Sequence, residues 1–405
     1  MSNVPDFLEA LKDPRPADQI MSANARYKGM IASGQFVLPI NAAVGVVMNE
    51  GGSPLMPEVV ATTLQETGEF LGYQSPRGNV GYLDAIISRY TLSDPKEVVS
   101  IQTAGGTDAL SMASVALRKI FCTSEAGARL IYDAGWPNYI NVFEVFSGWS
   151  LNGNARKLND SGRYDHDLYQ NELEKAEKNS VVLLQASGYN GDGIDRSDSE
   201  WSDVVDVIIR RGLVPIIDSA YSGLVTTDNP LRDFGPLREF IGNGYPVWLA
   251  YSNSKNMGFY GMRVGGLFGF NMPAGIKRDN AQVILDGVIR ATKSNLPHRY
   301  AEAARIILSN DQLFTDLTGE QDGIRLRIDN VRQRISEALG EGYEHVARGK
   351  GLFTVLRKAG YTPEQHKAIE AEGIASLESS RLNLGGFASD EQIERVIEVL
   401  GRVLK

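Results

Sequence analysis

Lys255 stands in the stretch Tyr251-Ser-Asn-Ser-Lys-Asn-Met-Gly-Phe-Tyr-Gly-Met-Arg-Val-Gly265, with Ser252 and Ser254 just before it and Arg263 eight residues on. Brought onto one small volume, these residues present two hydroxyls, a primary amine and a guanidinium. That set suits a phosphate with a reactive carbonyl attached. The preceding Pro246-Val-Trp-Leu-Ala-Tyr251 reads as a buried strand. Ser252 to Lys255 then fall just past its carboxyl end, where open α/β sheets bind ligands. A lone lysine is ordinarily a solvated surface charge, so this chemistry stands only if other parts of the chain supply the rest of a site.

Other stretches offer candidate parts. Thr103-Ala-Gly-Gly-Thr-Asp-Ala109 lies between a strand-like run and a helical one. Free backbone N–H groups and the helix dipole favour an anion there, which makes Gly106 and Thr107 a candidate phosphate cradle. The lysine of a nucleotide P-loop is absent. Ile216-Ile-Asp-Ser-Ala-Tyr221 ends an apolar strand in a carboxylate, a costly arrangement unless Asp218 has a cationic or hydrogen-bonding partner. Read singly, each has a plainer meaning: a tight helix entry for the glycines, and a helix cap for Asp218.

The elements that must position these groups alternate short apolar runs with longer helical stretches. Val98–Thr103, Arg129–Tyr132, Val181–Gln185 and Leu213–Ile217 are strand-like, and Thr107–Phe121 is helical. Such alternation predicts an α/β fold with a mostly parallel sheet flanked by helices. The first 38 residues hold Asp13-Pro-Arg-Pro-Ala-Asp18, which reads as an extended arm before a helix near Met21–Ala32. The last hundred change character, with helices around Gly323–Ala338 and Asp390–Val403 flanking short strands at Gly351–Val355 and Arg381–Leu384.

Bulk properties narrow the class. The 405 residues suffice for two domains; 41 basic and 50 acidic side chains give a net charge of −9. No run of positive charge marks a nucleic-acid or membrane partner. One cysteine, Cys122, excludes an internal disulfide framework, and His166, His298, His345 and His366 lack metal-ligand spacing, so no metal is expected. No secretory leader or membrane-spanning run is apparent, which leads us to expect a soluble cytoplasmic protein.

The order Ser-x-Ser-Lys-Asn-x-Gly-x-Tyr-x-x-Arg-x-Gly resembles the cofactor-lysine segment of the aspartate aminotransferase family, class I enzymes that use pyridoxal 5′-phosphate. Similar landmarks run in the family's order from about residue 14 to about 385. The resemblance implies that Lys255 carries the Schiff base and acts as general base. It gives Asp218 to the ring nitrogen, Tyr221 and Asn190 to the phenolic oxygen, and Trp136 of Gly135-Trp-Pro-Asn138 to stacking on the ring. Gly106, Thr107, Ser252, Ser254 and Arg263 would hold the phosphate. Tyr73, in Leu71-Gly-Tyr-Gln-Ser-Pro-Arg-Gly78, matches a tyrosine that reaches that phosphate from a second subunit. For the substrate, Gly45 marks a close backbone approach and Arg381 the grip on the α-carboxylate. Arg290, in Gly287-Val-Ile-Arg-Ala-Thr-Lys-Ser-Asn295, matches the arginine that crosses the interface to a distal carboxylate.

There are departures. Tyr139 stands where the family often has a histidine, leaving the support of the ring nitrogen's partner in question. Asn190-Gly-Asp-Gly193 replaces Asn-Pro-Thr-Gly, and Leu296-Pro297 replaces Pro-Pro. The expected protein is a homodimeric aminotransferase with an aspartate aminotransferase-like fold. Its boundaries are expected as an N-terminal arm at 1–15, a small domain from 16–49 and 319–405, and a large cofactor domain at 50–318. Ping-pong transfer between a dicarboxylic or aromatic amino acid and a 2-oxo acid is the expected reaction. The rivals are a lyase or decarboxylase with the same cofactor, and a non-catalytic regulatory protein.

Overall fold

The computed structural model describes residues 18–70, 72–121, 129–133, 135–154, 164–225, 230–357 and 359–405, so the expected arm over 1–15 lies outside the described residues. Eleven strands are described: β1 Ile40–Asn41, β2 Val99–Thr103, β3 Arg129–Tyr132, β4 Ser150–Asn154, β5 Val181–Gln185 and β6 Val214–Ser219, then β7 Val247–Ser252, β8 Gly265–Phe270, β9 Phe353–Val355, β10 Ile374–Ala375 and β11 Arg381–Asn383. Seven of them form one sheet in the order β2-β8-β7-β6-β5-β3-β4. In this sheet β8 alone runs opposite to the other six strands. This is the mostly parallel sheet that the alternating pattern predicts.

Strands β5, β6 and β7 are buried along their whole length. Their unbroken apolar runs have a direct cause: helices cover both faces, so neither alternate set of side chains meets water. Val182, Leu184, Ile217 and Leu249 pack into a core with Trp201 and Phe240. Leu183, Ile216, Trp248 and Ala250 point the other way, into a core with Leu110, Ala113 and Leu285. The register then aligns the strand ends. Gln185 pairs with Asp218, Asp218 with Ala250, and Ser252 with Gly265. Because β8 is antiparallel, the start of β8 at Gly265 also pairs with the end of β2 at Thr103. Residues from five separate stretches are thereby delivered to one end of the sheet.

A third core joins both chain ends. Ile40 and Val47 pack with Leu352, Ile374 and Leu382, under Ile328 of the helix Asp311–Leu339 and Val396 of the helix Asp390–Leu404. Strand β1 pairs in parallel with β10, and β9 antiparallel with β11. Strand β1 is only two residues long. The Asn41 Oδ1 accepts from the N–H groups of Ala43 and Val44, both at 3.2 Å, and turns the chain before Gly45. The long helix instead starts earlier than its apolar pattern, at Asp311, because Asn310 caps it by accepting from the Leu313 N–H at 3.1 Å. Among the described residues, no helix is long and apolar enough to cross a membrane.

Candidate active site

Twelve of the fourteen residues singled out in the sequence line one cavity of about 330 Å³ at the carboxyl ends of the central strands. They are Gly45, Gly106, Thr107, Trp136, Asn190, Asp218, Tyr221, Ser252, Ser254, Lys255, Arg263 and Arg381. Tyr73 and Arg290 do not reach it. Tyr73 is 92% exposed, and the Arg290 guanidinium is exposed and donates to the Ser294 hydroxyl.

An anion cradle occupies one end. The helix Gly106–Phe121 opens at the cavity, where the N–H groups of its first turn have no carbonyl of the helix to reach. Ser252 and Ser254 link their hydroxyls at 3.1 Å, and Arg263 Nη1 donates to Ser254 Oγ at 2.9 Å. The backbone comes close enough to require glycine. A Cβ on Gly106 would sit 3.1 Å from Ser252 Cβ. Gly105, at φ +83°, would place one 2.5 Å from Arg263 Nη2. Arg263 itself is held at φ +57°, a conformation uncommon for a residue with a side chain. Asp108, buried in the first turn of the helix, accepts from the Ala104 N–H at 2.7 Å and pairs with Lys293 at 2.5 Å. The Lys293 charge offsets a carboxylate that would otherwise oppose an anion in the cradle.

The middle of the cavity holds the amine and the carboxylate. Burial lowers the Lys255 amine to about 8; Asp218 opposes the shift, while Arg263 and Arg381 add to it. Its Nζ lies 5.2 Å from the centroid of the Tyr221 ring. Burial raises Asp218 to about 6, against a hydrogen bond from Tyr139 and the charge of Lys255. A lysine lowered toward neutrality is a competent nucleophile and proton carrier. Tyr139, the apparent gap in the sequence, donates its hydroxyl to Asp218 Oδ2 at 2.6 Å. The support left in question is thus provided by a phenol in place of an imidazole.

At the far end, Arg381 donates from Nη1 to Asn190 Oδ1 at 2.5 Å and from Nη2 to the Ala43 carbonyl at 2.7 Å. It lies 4.4 Å above the centroid of the Phe353 ring, and burial lowers it to about 10, well above neutrality. Asn190 Nδ2 in turn donates to the Tyr221 hydroxyl at 3.0 Å. The unusual Asn190-Gly-Asp-Gly193 turn is closed without proline or threonine. Asp192 Oδ1 accepts from the Ile194 N–H at 2.7 Å, and Gly193 takes φ +75°, with the Phe353 carbonyl 2.2 Å from where a Cβ would be. Gly45 packs as tightly, since a Cβ there would meet Phe353 Cζ at 2.7 Å.

Several cavity residues escape sequence reasoning. Gly105 lies just behind the cavity wall, against the Arg263 guanidinium, and only its neighbour Gly106 is flagged. Gln185 lines the wall beside Asp218 and accepts from the Asn190 N–H at 2.8 Å. Tyr260, five residues past Lys255, accepts from the Val47 N–H at 2.9 Å and is pushed up to about 12, chiefly by burial. Its place in the lysine segment was the available signal. Ile20 and Met21 reach the cavity from the start of the helix Gln19–Ser33, and no local pattern marks them.

The arrangement fits pyridoxal phosphate on its donor set: a cradle for a phosphate, a depressed amine for an aldehyde, and a carboxylate for a pyridine nitrogen. Comparison with known proteins agrees. Residues 39–400 match the family model described as aminotransferase class I and II, and the chain belongs to that family, pyridoxal-phosphate enzymes of fold type I. Within it the chain is an aminotransferase of the aspartate and aromatic type. It is 28% identical over 366 residues to a tyrosine aminotransferase of Rhizobium meliloti (strain 1021), covering 88% of this chain and 91% of that one. It is 27% identical to the aspartate aminotransferase of Escherichia coli (strain K12), covering 95% and 98%. Among solved structures, an aromatic amino acid aminotransferase from Burkholderia cenocepacia J2315 superposes with a TM-score of 0.84 at 26% identity, over 97% of this chain and 98% of that one.

Proposed function

We propose that this protein transfers an amino group between an L-amino acid and a 2-oxo acid such as 2-oxoglutarate by a ping-pong mechanism, with aspartate or another dicarboxylate as the amino acid. The observation that carries the reading is the convergence of Lys255, Asp218 and Arg381 on one cavity above a phosphate cradle. Pyridoxal phosphate, when bound, supplies the electron sink for bond breaking at the substrate Cα.

The chain's own residues do the rest. Lys255 is the covalent anchor, and once released its amine holds and moves the Cα proton. Asp218 faces the ring nitrogen and keeps it protonated. Asn190 and Tyr221 donate to the phenolic oxygen, and Trp136 covers the ring. Gly106, Thr107, Ser252, Ser254 and Arg263 bind the phosphate. Arg381 grips the α-carboxylate with two parallel N–H groups, which orients the Cα–H bond toward Lys255.

Tyr73 and Arg290 are assigned to the site of a second subunit, so that a homodimer carries two complete sites. Their exposure supports this, since neither serves its own cavity. Residues 16–49 and 319–405 form the small domain in this reading and 50–318 the large one, and the protein is placed in the cytoplasm. A relative in Gallus gallus named aspartate aminotransferase, cytoplasmic, is 28% identical over 86% of this chain and 88% of its own length. Aromatic amino acids are a second substrate class, favoured by Ile20, Met21 and Val44 along the wall.

The test is the absorption spectrum of the holoprotein with L-aspartate and, separately, with L-phenylalanine. Loss of the yellow band with aspartate and its return with 2-oxoglutarate are expected. Bleaching by phenylalanine alone would remove Arg290 from its role, and a colourless protein after reconstitution would overturn the cofactor assignment.

A further inference from the structure

We propose that Tyr139 is a positioning residue for the reaction, a fixed hydrogen-bond donor that holds Asp218 as an anion with one oxygen left for the cofactor's ring nitrogen. The proposal rests on the assignment of Asp218 to that nitrogen. It adds a residue whose identity the family resemblance argues against, since a histidine is the usual occupant.

Geometry carries it. The Tyr139 hydroxyl donates to Oδ2 of Asp218 at 2.6 Å, the length of a charge-assisted O–H bond. Tyr139 is fully buried, and its ring meets Trp136 edge-on at 5.2 Å and 89°, and Tyr132 at 6.3 Å and 82°. The ring therefore has little freedom to turn, and the hydroxyl is aimed by packing. It also abuts the π-helical turn Ile140–Val145, an irregularity that often marks functional positions. One side chain thus fixes the residue that would face the ring nitrogen and touches the indole that would cover the ring.

The choice of phenol over imidazole has a chemical consequence. Burial and the adjacent Asp218 push the Tyr139 hydroxyl well above its ordinary value, so it stays protonated across the working range. The other titratable groups facing this pair are Lys255 from the loop after β7, Tyr221 from the segment after β6 and Tyr189 from the turn after β5. Burial raises the Tyr221 hydroxyl above its ordinary value. An imidazole at position 139 would add a proton-binding group of pKa near 6.5 to this set. With Tyr139, Asp218 has a donor that does not titrate.

Without the donor, the Asp218 anion is less stabilised and draws the ring-nitrogen proton toward itself. The ring then carries less positive charge, so the nitrogen joining Lys255 to the cofactor holds its own proton more tightly. The midpoint of the holoprotein's absorption-versus-pH curve rises.

The experiment is that titration on wild-type, Tyr139→Phe, Tyr139→His and Asp218→Asn holoproteins, with thermal melts of the cofactor-free forms alongside. Tyr139→Phe keeps the ring and its packing. It is expected to raise the midpoint by about one pH unit and to speed cofactor loss on dilution by roughly tenfold. Tyr139→His is expected to restore most of the affinity and add a second transition near pH 6.5. A Tyr139→Phe protein that melts lower but keeps the wild-type midpoint has lost only packing, and the proposal falls. If Asp218→Asn also leaves the midpoint unmoved, the assignment of Asp218 to the ring falls with it; if Asp218→Asn alone moves it, only the role of Tyr139 is lost.

Discussion

Asn295 and Gln74 clasp each other across the surface: Asn295 Nδ2 donates to the Gln74 carbonyl at 2.8 Å, and the Gln74 N–H points back at Asn295 Oδ1 at 3.4 Å. Gln74 Nε2 adds a bond to the Leu296 carbonyl at 2.8 Å. Gln74 follows Tyr73, and Asn295 lies five residues past Arg290. The two segments assigned to a neighbouring subunit are therefore bound into one unit.

That unit makes a prediction about substrate choice. Arg290→Ala should lower kcat/KM for L-aspartate by about a hundredfold, the loss expected of a charge-assisted carboxylate contact, and change that for L-phenylalanine far less. Steady-state kinetics on both substrates checks it. Mixing inactive Lys255→Ala chains with Arg290→Ala chains under exchange should restore aspartate activity to about a quarter of wild type, because half the dimers are hybrids with one complete site each. No recovery in the hybrids, or full activity in a monomer, would place Arg290 elsewhere.

Gly105 tests the cradle. Its φ of +83° and the 2.5 Å approach to Arg263 Nη2 leave no room for a methyl group. Gly105→Ala should push the guanidinium out of place and weaken pyridoxal phosphate binding by about a hundredfold, the equivalent of losing one strong charged contact. Equilibrium dialysis reads the affinity directly. Free inorganic phosphate should also protect the wild-type protein from thermal unfolding, and protect this variant less.

The contrast between Gly105 and Gly106 shows what a sequence carries. The fold was legible because buried parallel strands such as Val181–Gln185 announce themselves as short apolar runs between helices. The anion cradle was legible because glycine, serine and arginine at close spacing have few other uses. What escaped depends on contacts between distant segments. Nothing near Gly105 says that Arg263 will lie against it, and nothing near Ile20 says that its helix begins at the cavity. Tyr139 was visible only as a missing histidine, since its aim at Asp218 follows from packing against Trp136 and Tyr132. Strand β1 ends where the Asn41 side chain turns the chain, an effect that apolar patterning does not register.

The amine of Lys255 makes a prediction about pH. Burial lowers it to about 8, so the reactive neutral form is the minority at pH 6 and the majority above 8. Capture of pyridoxal phosphate by the cofactor-free protein should accelerate by about tenfold per pH unit below that value and level off above it. An unperturbed lysine would keep accelerating past pH 10. Stopped-flow absorbance between pH 6 and pH 10 distinguishes the two curves, and a rate still climbing at the upper end would mean that the amine is solvated.

Stability near the site should hinge on a pair that takes no part in the chemistry. Arg196 binds Asp133 through two N–H groups, both at 3.0 Å, with each side chain buried. The guanidinium is enclosed by the rings of Tyr164, Tyr169 and Trp201 at 4.4 to 4.7 Å. Asp133 ends the run from β3 toward Trp136, and Arg196 follows the Asn190–Gly193 turn, so the pair ties the ring-covering segment to the turn that contacts Arg381. Arg196→Met fills much of the volume but strands a buried carboxylate, at a cost of about 3–5 kcal/mol. Asp133→Asn and Arg196→Met together should be less harmful than Arg196→Met alone, because the uncompensated charge is gone. Denaturant unfolding of the cofactor-free variants measures both. Equal losses in the single and double variants would show that the ring contacts, and not the ion pair, hold this corner together.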